Sequence, residues 1–241
     1  MTQTLKYGFI GCGMMGQEHL RNLALIKGSE VVAIVEPDAE MRAKAQALVP
    51  DVTFEPNIDT LLARTDLDAL IITTPNYQHA EQMVAIFEKT KLPVLVEKPI
   101  CTRFEDVAKL RELEARHPAP IWVAMEYRYM PPIAALREQV GSGVLGNVKM
   151  LAIREHRFPF LEKVGDWNRF NRNSGGTLVE KCCHFFDLMR LVLNEQPIRV
   201  YASGGVDVNH LDERYNGETP DILDNAYVIV DFASGKRAML D

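Results

Sequence analysis

Two short segments carry the side chains best able to do chemistry. Glu97-Lys98-Pro99 follows the apolar run Val94 to Val96. A lysine just past the end of an apolar strand is a poor packing residue, whereas its ammonium is suited to hold a substrate hydroxyl and stabilise a developing alkoxide. A strand-end ion pair with Glu97 is the alternative role for Lys98. The second segment runs from Gly175-Gly176 through Glu180 and His184 to Asp187. On one helix, residues three and four apart are neighbours, so Glu180, His184 and Asp187 share a face. A neutral imidazole flanked by carboxylates can take a proton from an alcohol, and such help is typically worth ~10² to 10⁴ in rate. A half-buried histidine with satisfied hydrogen bonds would leave the same spacing. Cys182, Cys183 and His184 are consecutive and point in different directions on a helix, so no metal site is expected there.

What must position these side chains begins at the N-terminus. Gly11-Cys12-Gly13-Met14-Met15-Gly16 lies between an apolar run, Leu5 to Ile10, and a segment with Met15, Leu20, Leu23 and Ile26 at helical spacing. In that strand-to-helix context the motif binds the pyrophosphate of a dinucleotide. Gly11 makes the turn, Gly13 lets the backbone approach the phosphates, Gly16 lets helix and strand pack, and Met14 and Met15 open the helix whose free N–H groups face the ligand. A second run, Val31 to Val35, ends at Glu36, 20 positions after Gly16. An acid there accepts hydrogen bonds from the adenosine ribose and repels a 2′-phosphate, which favours NAD over NADP. A glycine turn that binds nothing is the alternative.

Further apolar runs at Ala69 to Thr73, Val94 to Val96 and Ile121 to Met125 alternate with helical stretches, one of them starting at Asp38, a good N-cap. This alternation predicts an α/β fold with a doubly wound parallel sheet over residues 1–125. Ligands gather at the carboxyl ends of such strands, where Thr74-Pro75-Asn76 with His79, Glu97-Lys98-Pro99 and Glu126-Tyr127-Arg128-Tyr129 fall. Beyond residue 125 the pattern changes to α+β with a largely antiparallel sheet: a helix from Pro131, a long strand from Val148 to Arg157, an irregular stretch, a helix from about Leu178 to Asn194, and strands at Ile198 to Val206, Ala226 to Phe232 and Arg237 to Leu240. Ala233-Ser234-Gly235 reads as a hairpin turn between the last two.

Composition narrows the partners. The chain has 241 residues, 47% hydrophobic and 25% charged, which suffices for a large core, and a net charge of −6 with no basic cluster gives no footprint for nucleic acid. No apolar stretch approaches the roughly 20 residues needed to span a bilayer. The four cysteines form no disulfide framework and no signal-peptide pattern precedes the first strand, so a reducing cytoplasm is expected.

Taken in order, Gly11 to Gly16, Thr74-Pro75-Asn76 with His79, Glu97-Lys98-Pro99, Tyr127-Arg128-Tyr129 with Pro131, Trp167, and Gly175-Gly176 leading to His184 and Asp187 resemble the Gfo/Idh/MocA family of NAD(P)-dependent oxidoreductases. The resemblance implies an N-terminal Rossmann domain, here 1–125, and an α/β domain, here 126–241, whose open sheet forms homo-oligomers. It implies reversible oxidation of a secondary alcohol on a sugar or cyclic polyol. Lys98 would lie beside substrate and nicotinamide, and His184 would exchange the proton with help from Glu180, where the family usually has aspartate. Thr74, Pro75, Asn76, His79, Glu97 and Arg128 would border the cofactor; Tyr127, Arg128, Trp167 and, around them, His156, Asp166, Asn168 and Arg169 would border the substrate. NAD-dependent glycosidases, imine or biliverdin reductases and a shortened NAD-binding protein without catalysis are the alternatives. Family members usually continue past the equivalent of Asp241, so the sheet is expected to be completed by another chain, or this chain is a piece of a longer one.

Overall fold

A computed structural model describes residues 4–241. They form two compact units, one ending at Ala124 and one running from Met125 to Asp241.

The first unit alternates strand and helix: β1 Leu5–Ile10, α1 Met14–Leu23, β2 Ser29–Val35, α2 Ala39–Leu48, β3 Thr53–Glu55, α3 Ile58–Leu62, β4 Ala69–Ile72, α4 His79–Lys89, β5 Val94–Val96, α5 Phe104–Glu114 and β6 Ile121–Val123. Its six strands are parallel in the order β3-β2-β1-β4-β5-β6, so the topology reverses direction between β1 and β4. That reversal opens a crevice at the carboxyl ends of the strands. Apolar side chains leave both faces because both are buried: Phe9 and Ile71 pack with Leu20 and Ile34 on one side, while Ile10, Leu70 and Ile72 pack with Met83 and Ile86 of α4 on the other. Asp38 caps α2 by accepting the Met41 N–H at 2.9 Å, the role its residue type suggested. Asn57 does the same for α3 at 3.0 Å, a helix too short to show a periodic pattern.

The second unit contains α6 Pro131–Gly141, β7 Met150–Ile153, α7 Asn171–Ser174, α8 Thr177–Glu180, α9 Cys183–Leu193, β8 Pro197–Gly205, β9 Asn225–Phe232 and β10 Arg237–Leu240. Its sheet is mixed, in the order β7-β10-β9-β8, with β7 parallel to β10 and the other pairs antiparallel. Phe185, Met189 and Leu193 of α9 pack on Val228, Val230, Phe232, Ala238 and Leu240. Two expectations need correction. The strand expected to reach Arg157 stops at Ile153, level with the end of its partner β10 at Leu240. The helix expected over 178–194 is two helices, because the Cys182 N–H reaches back five residues to the Thr177 carbonyl at 3.2 Å. Such π-type turns insert a residue and rotate the next helical segment relative to the one before it, so Glu180 and His184 do not lie on one continuous helix.

Candidate active site

The glycine loop has the geometry its sequence suggested. Gly11 has φ +85°, and a Cβ there would stand 2.9 Å from the Thr74 nitrogen; a Cβ on Gly16 would stand 2.8 Å from Thr73 Oγ1 and 3.0 Å from the Gly11 carbonyl oxygen. A Cβ on Gly13 would meet nothing within 4 Å. Two glycines thus permit close packing, and the third faces open space before the first turn of α1, whose N–H groups have no intrahelical partners. The loop fits a pyrophosphate. Thr73 Oγ1 donates to the Gly11 carbonyl at 2.7 Å and ties the end of β4 to this loop. Met14 stands half exposed at the start of α1 and Met15 is partly buried.

Glu36 sits at the end of β2 with both oxygens engaged, accepting the Cys12 N–H at 2.7 Å and the Asp38 N–H at 2.9 Å. A carboxylate offers about four acceptor sites, so it can also accept ribose hydroxyls. The Cys12 thiol is fully buried, and burial followed by the Glu36 charge pushes its pKa far up, which makes it an inert packing group.

At the ends of β4 and β5 the side chains turn inward. His79 is completely buried, with Nδ1 2.7 Å from the Pro99 carbonyl oxygen and Nε2 2.9 Å from that of Thr74. Expected to border the cofactor, its side chain is held inside the first unit by these two carbonyls. Glu97, 5% exposed, is directed at His19 of α1, with Oε1 2.7 Å from Nε2, and its other oxygen accepts the Lys98 N–H at 3.2 Å. Burial pushes the Glu97 carboxyl up, but the hydrogen bond and charge of His19, with Lys98 beside it, outweigh this and hold it below the usual carboxylate range. His19 received no role from the sequence; its placement four residues after Met15, one turn along the dinucleotide helix, is the signal that could have found it. Asn76 is buried and Lys98 is partly exposed.

In the second unit His184 is almost fully buried, and Tyr127 stacks on its ring with centroids 4.2 Å apart and planes inclined by 9°. The carboxylate facing its Nε2 is Glu126, at 3.4 Å, from the turn Glu126–Tyr129 that follows Met125. Asp187, expected to flank the histidine, instead receives the Arg128 guanidinium through Nε at 2.6 Å and a second nitrogen at 2.5 Å. The fork of Arg128 is therefore engaged within its own unit. Glu180 is also buried, with Oε1 3.4 Å from Lys181 Nζ. Around the expected substrate wall, Trp167 is half buried and His156 exposed, but Asn168 and Arg169 are interior. Arg169 donates to Glu213 at 2.9 Å, and Tyr215 and His210 converge on the same partly exposed carboxylate at 2.7 Å each, so the buried Arg169 is held in a hydrogen-bonded network.

A parallel sheet in this strand order, a glycine loop open at its middle glycine and an acid at the end of β2 define a dinucleotide-binding oxidoreductase fold. Two family models match the chain, "Oxidoreductase family, NAD-binding Rossmann fold" over residues 5–125 and "Oxidoreductase family, C-terminal alpha/beta domain" over residues 137–241, and the chain belongs to this Gfo/Idh/MocA family of NAD(P)-dependent dehydrogenases. An inositol 2-dehydrogenase of Rhizobium meliloti is 29% identical over 238 residues, covering 98% of this chain and 68% of that protein. A 2,7-anhydro-N-acetylneuraminate hydratase of Mediterraneibacter gnavus is 26% identical, covering 99% of this chain and 61% of that protein. Among solved structures, a Sinorhizobium meliloti protein described as "a putative myo-inositol dehydrogenase" superposes with a TM-score of 0.81 at 26% identity, over 98% of this chain and 68% of that one. The chain thus spans about two thirds of the length of these relatives.

Proposed function

We propose that the chain carries out NAD-dependent oxidation of a secondary alcohol on a sugar or cyclic polyol. The observation that carries this reading is the buried His184, held flat under Tyr127 with a carboxylate at Nε2. Burial and stacking fix the ring, and a neighbouring carboxylate stabilises the imidazolium that forms when it takes a hydroxyl proton. Lys98, anchored through its own N–H to Glu97, holds the substrate oxygen and stabilises the alkoxide as the proton leaves. Glycine loop and Glu36 hold NAD, which supplies a hydride acceptor when bound. The likeness to an inositol 2-dehydrogenase over nearly the whole chain supports a cyclic polyol as substrate. Turnover of polyols with NAD, compared between wild type, Lys98→Met and His184→Gln, tests the assignment.

The likeness to a hydratase favours a second reading, in which the same residues serve a reaction with no net change in NAD. Product formation without NADH accumulation would select it.

The functional form we propose is a homo-oligomer joined through the sheet of the second unit. On the face opposite α9, Tyr201, Tyr227, Ile229 and Met150 are 52%, 66%, 44% and 75% exposed. Exposed aromatic and aliphatic side chains on a sheet face suit an interface. No helix among the described residues is long and apolar enough to cross a membrane.

A further inference from the structure

His79 sits where three loops of the first unit meet. Its Nδ1 is 2.7 Å from the Pro99 carbonyl oxygen, one residue beyond Lys98, and its Nε2 is 2.9 Å from the Thr74 carbonyl oxygen. Thr74 packs against Gly11 of the glycine loop, and Thr73 donates to the Gly11 carbonyl. On the far side of Lys98, Glu97 is tied to His19 of α1. The contacts close a ring that runs from the glycine loop through Thr73 and Thr74 to His79, on to Pro99, Lys98 and Glu97, and back to α1. Gln82, one turn after His79 on α4, meets the Thr74 hydroxyl at 2.6 Å, so α4 grips this loop with two side chains.

Carbonyl oxygens only accept hydrogen bonds, and a neutral imidazole donates from one nitrogen alone. Both contacts are made together only when both ring nitrogens carry protons. We propose that His79 is a positioning residue that, as an imidazolium, clasps the Thr74 loop to the Lys98-Pro99 loop and so sets where Lys98 stands relative to the dinucleotide loop. That the clasp matters for turnover rests on the role proposed above for Lys98; that it exists rests on the two carbonyl contacts.

Five influences act on the ring. Burial, the largest, works against its charge; the Pro99 and Thr74 carbonyls and the Glu97 carboxylate favour it; the Lys98 ammonium opposes it. Together they place its proton loss below the ordinary histidine range. The complete clasp therefore belongs to the acid side. When the proton leaves, a nitrogen lone pair faces a carbonyl oxygen and that contact opens.

The decisive experiment is long-range ¹H–¹⁵N correlation of the histidine rings in the uniformly labelled wild-type chain, with backbone amides followed in parallel, from about pH 8 down to the acid limit at which the chain stays folded. The expected result is a His79 ring with two protected N–H protons at the acid end that passes to a single neutral tautomer, with the amides of Lys98, Ile100, Asn76 and Tyr77 moving at the same midpoint. A single tautomer throughout, or amides that stay still while the ring titrates, would overturn the clasp. His79→Asn, which can reach one loop at most, is expected to lower kcat about tenfold at the acid end, where the wild-type clasp is complete, and by less once the wild-type ring is neutral, while NADH affinity stays within about twofold, a factor of ten in rate being 1.4 kcal/mol of barrier. If kcat in this variant matched wild type, the positioning role would be refuted. If wild type turned over no polyol, the ring and amide titrations would still decide the clasp, and the substrate assignment would fail separately.

Discussion

The three glycines of the loop make different demands, and substituting each by alanine should separate packing from cofactor binding. Gly13 has φ −63° and ψ −157°, near the extended region, and its Cβ would meet no atom within 4 Å. Gly13→Ala should leave stability unchanged or raise it by up to about 1 kcal/mol, through lower entropy of the unfolded chain. Gly16→Ala brings a Cβ to 2.8 Å from Thr73 Oγ1 and 3.0 Å from a backbone oxygen, inside ordinary contact, so α1 must shift. Overpacking of this kind costs about 1–3 kcal/mol. Gly11→Ala meets backbone atoms of Thr73 and Thr74 at 3.0 and 2.9 Å and must also hold φ +85°. That adds about 1–2 kcal/mol for the left-handed conformation. NADH affinity should obey a different order, because the space before Gly13 is where a pyrophosphate fits: Gly13→Ala is expected to lose at least tenfold, about 1.4 kcal/mol. Urea unfolding monitored by Trp122 fluorescence in a Trp167→Phe background reports the first unit alone, since the chain has 2 tryptophans. NADH titration supplies the other half. Wild-type affinity in Gly13→Ala, or a destabilisation equal to that of Gly11→Ala, would refute the reasoning.

Other named contacts carry their own expected outcomes. Glu36→Gln keeps an acceptor for the Cys12 N–H but removes the charge that repels a 2′-phosphate, so the preference for NADH over NADPH in fluorescence titrations should fall by about tenfold or more. Burial raises the Glu213 carboxyl, but hydrogen bonds from His210, Tyr215 and Arg169 outweigh it and bring it from an ordinary 4.5 down to about 2. A depressed carboxylate stabilises the fold above its unfolded value and loses that contribution as pH falls through its folded value. Stability of the second unit, monitored by circular dichroism, should therefore decline from about pH 4.5 toward about pH 2, and Glu213→Gln should flatten that decline. Ile229→Arg places a charge at the centre of the exposed sheet face and should convert an oligomer into a monomer by sedimentation velocity; an unchanged sedimentation coefficient would place the interface elsewhere.

Much of the first unit was legible because its signals are local. Strand, glycines, helix and acid fall in order within the first 36 residues. The orientation of the polar side chains at the strand ends was not legible. His19 and Glu97 are 78 residues apart, and only the closed sheet brings α1 against the end of β5. His79 reads as a neighbour of the cofactor because it comes just after Thr74-Pro75-Asn76, yet α4 begins at His79 and its ring is completely buried. In the second unit the motif from Gly175 to Asp187 was found, but its internal geometry was misread. Helical spacing predicted one face; the π-type turn at Cys182 and the Arg128 fork on Asp187 depend on packing that no local pattern encodes. For the same reason the carboxylate beside His184 comes from Glu126, 58 residues earlier in the chain.

The most direct test of polyol oxidation through Lys98 and His184 is NADH formation by the purified chain supplied with NAD and cyclic polyols or sugars. Wild type should accumulate NADH with at least one of them. Lys98→Met and His184→Gln should each lose about 10² or more in kcat while binding NADH as wild type does. No NADH from any polyol in a chain that binds NADH, or full turnover in either variant, would contradict the account.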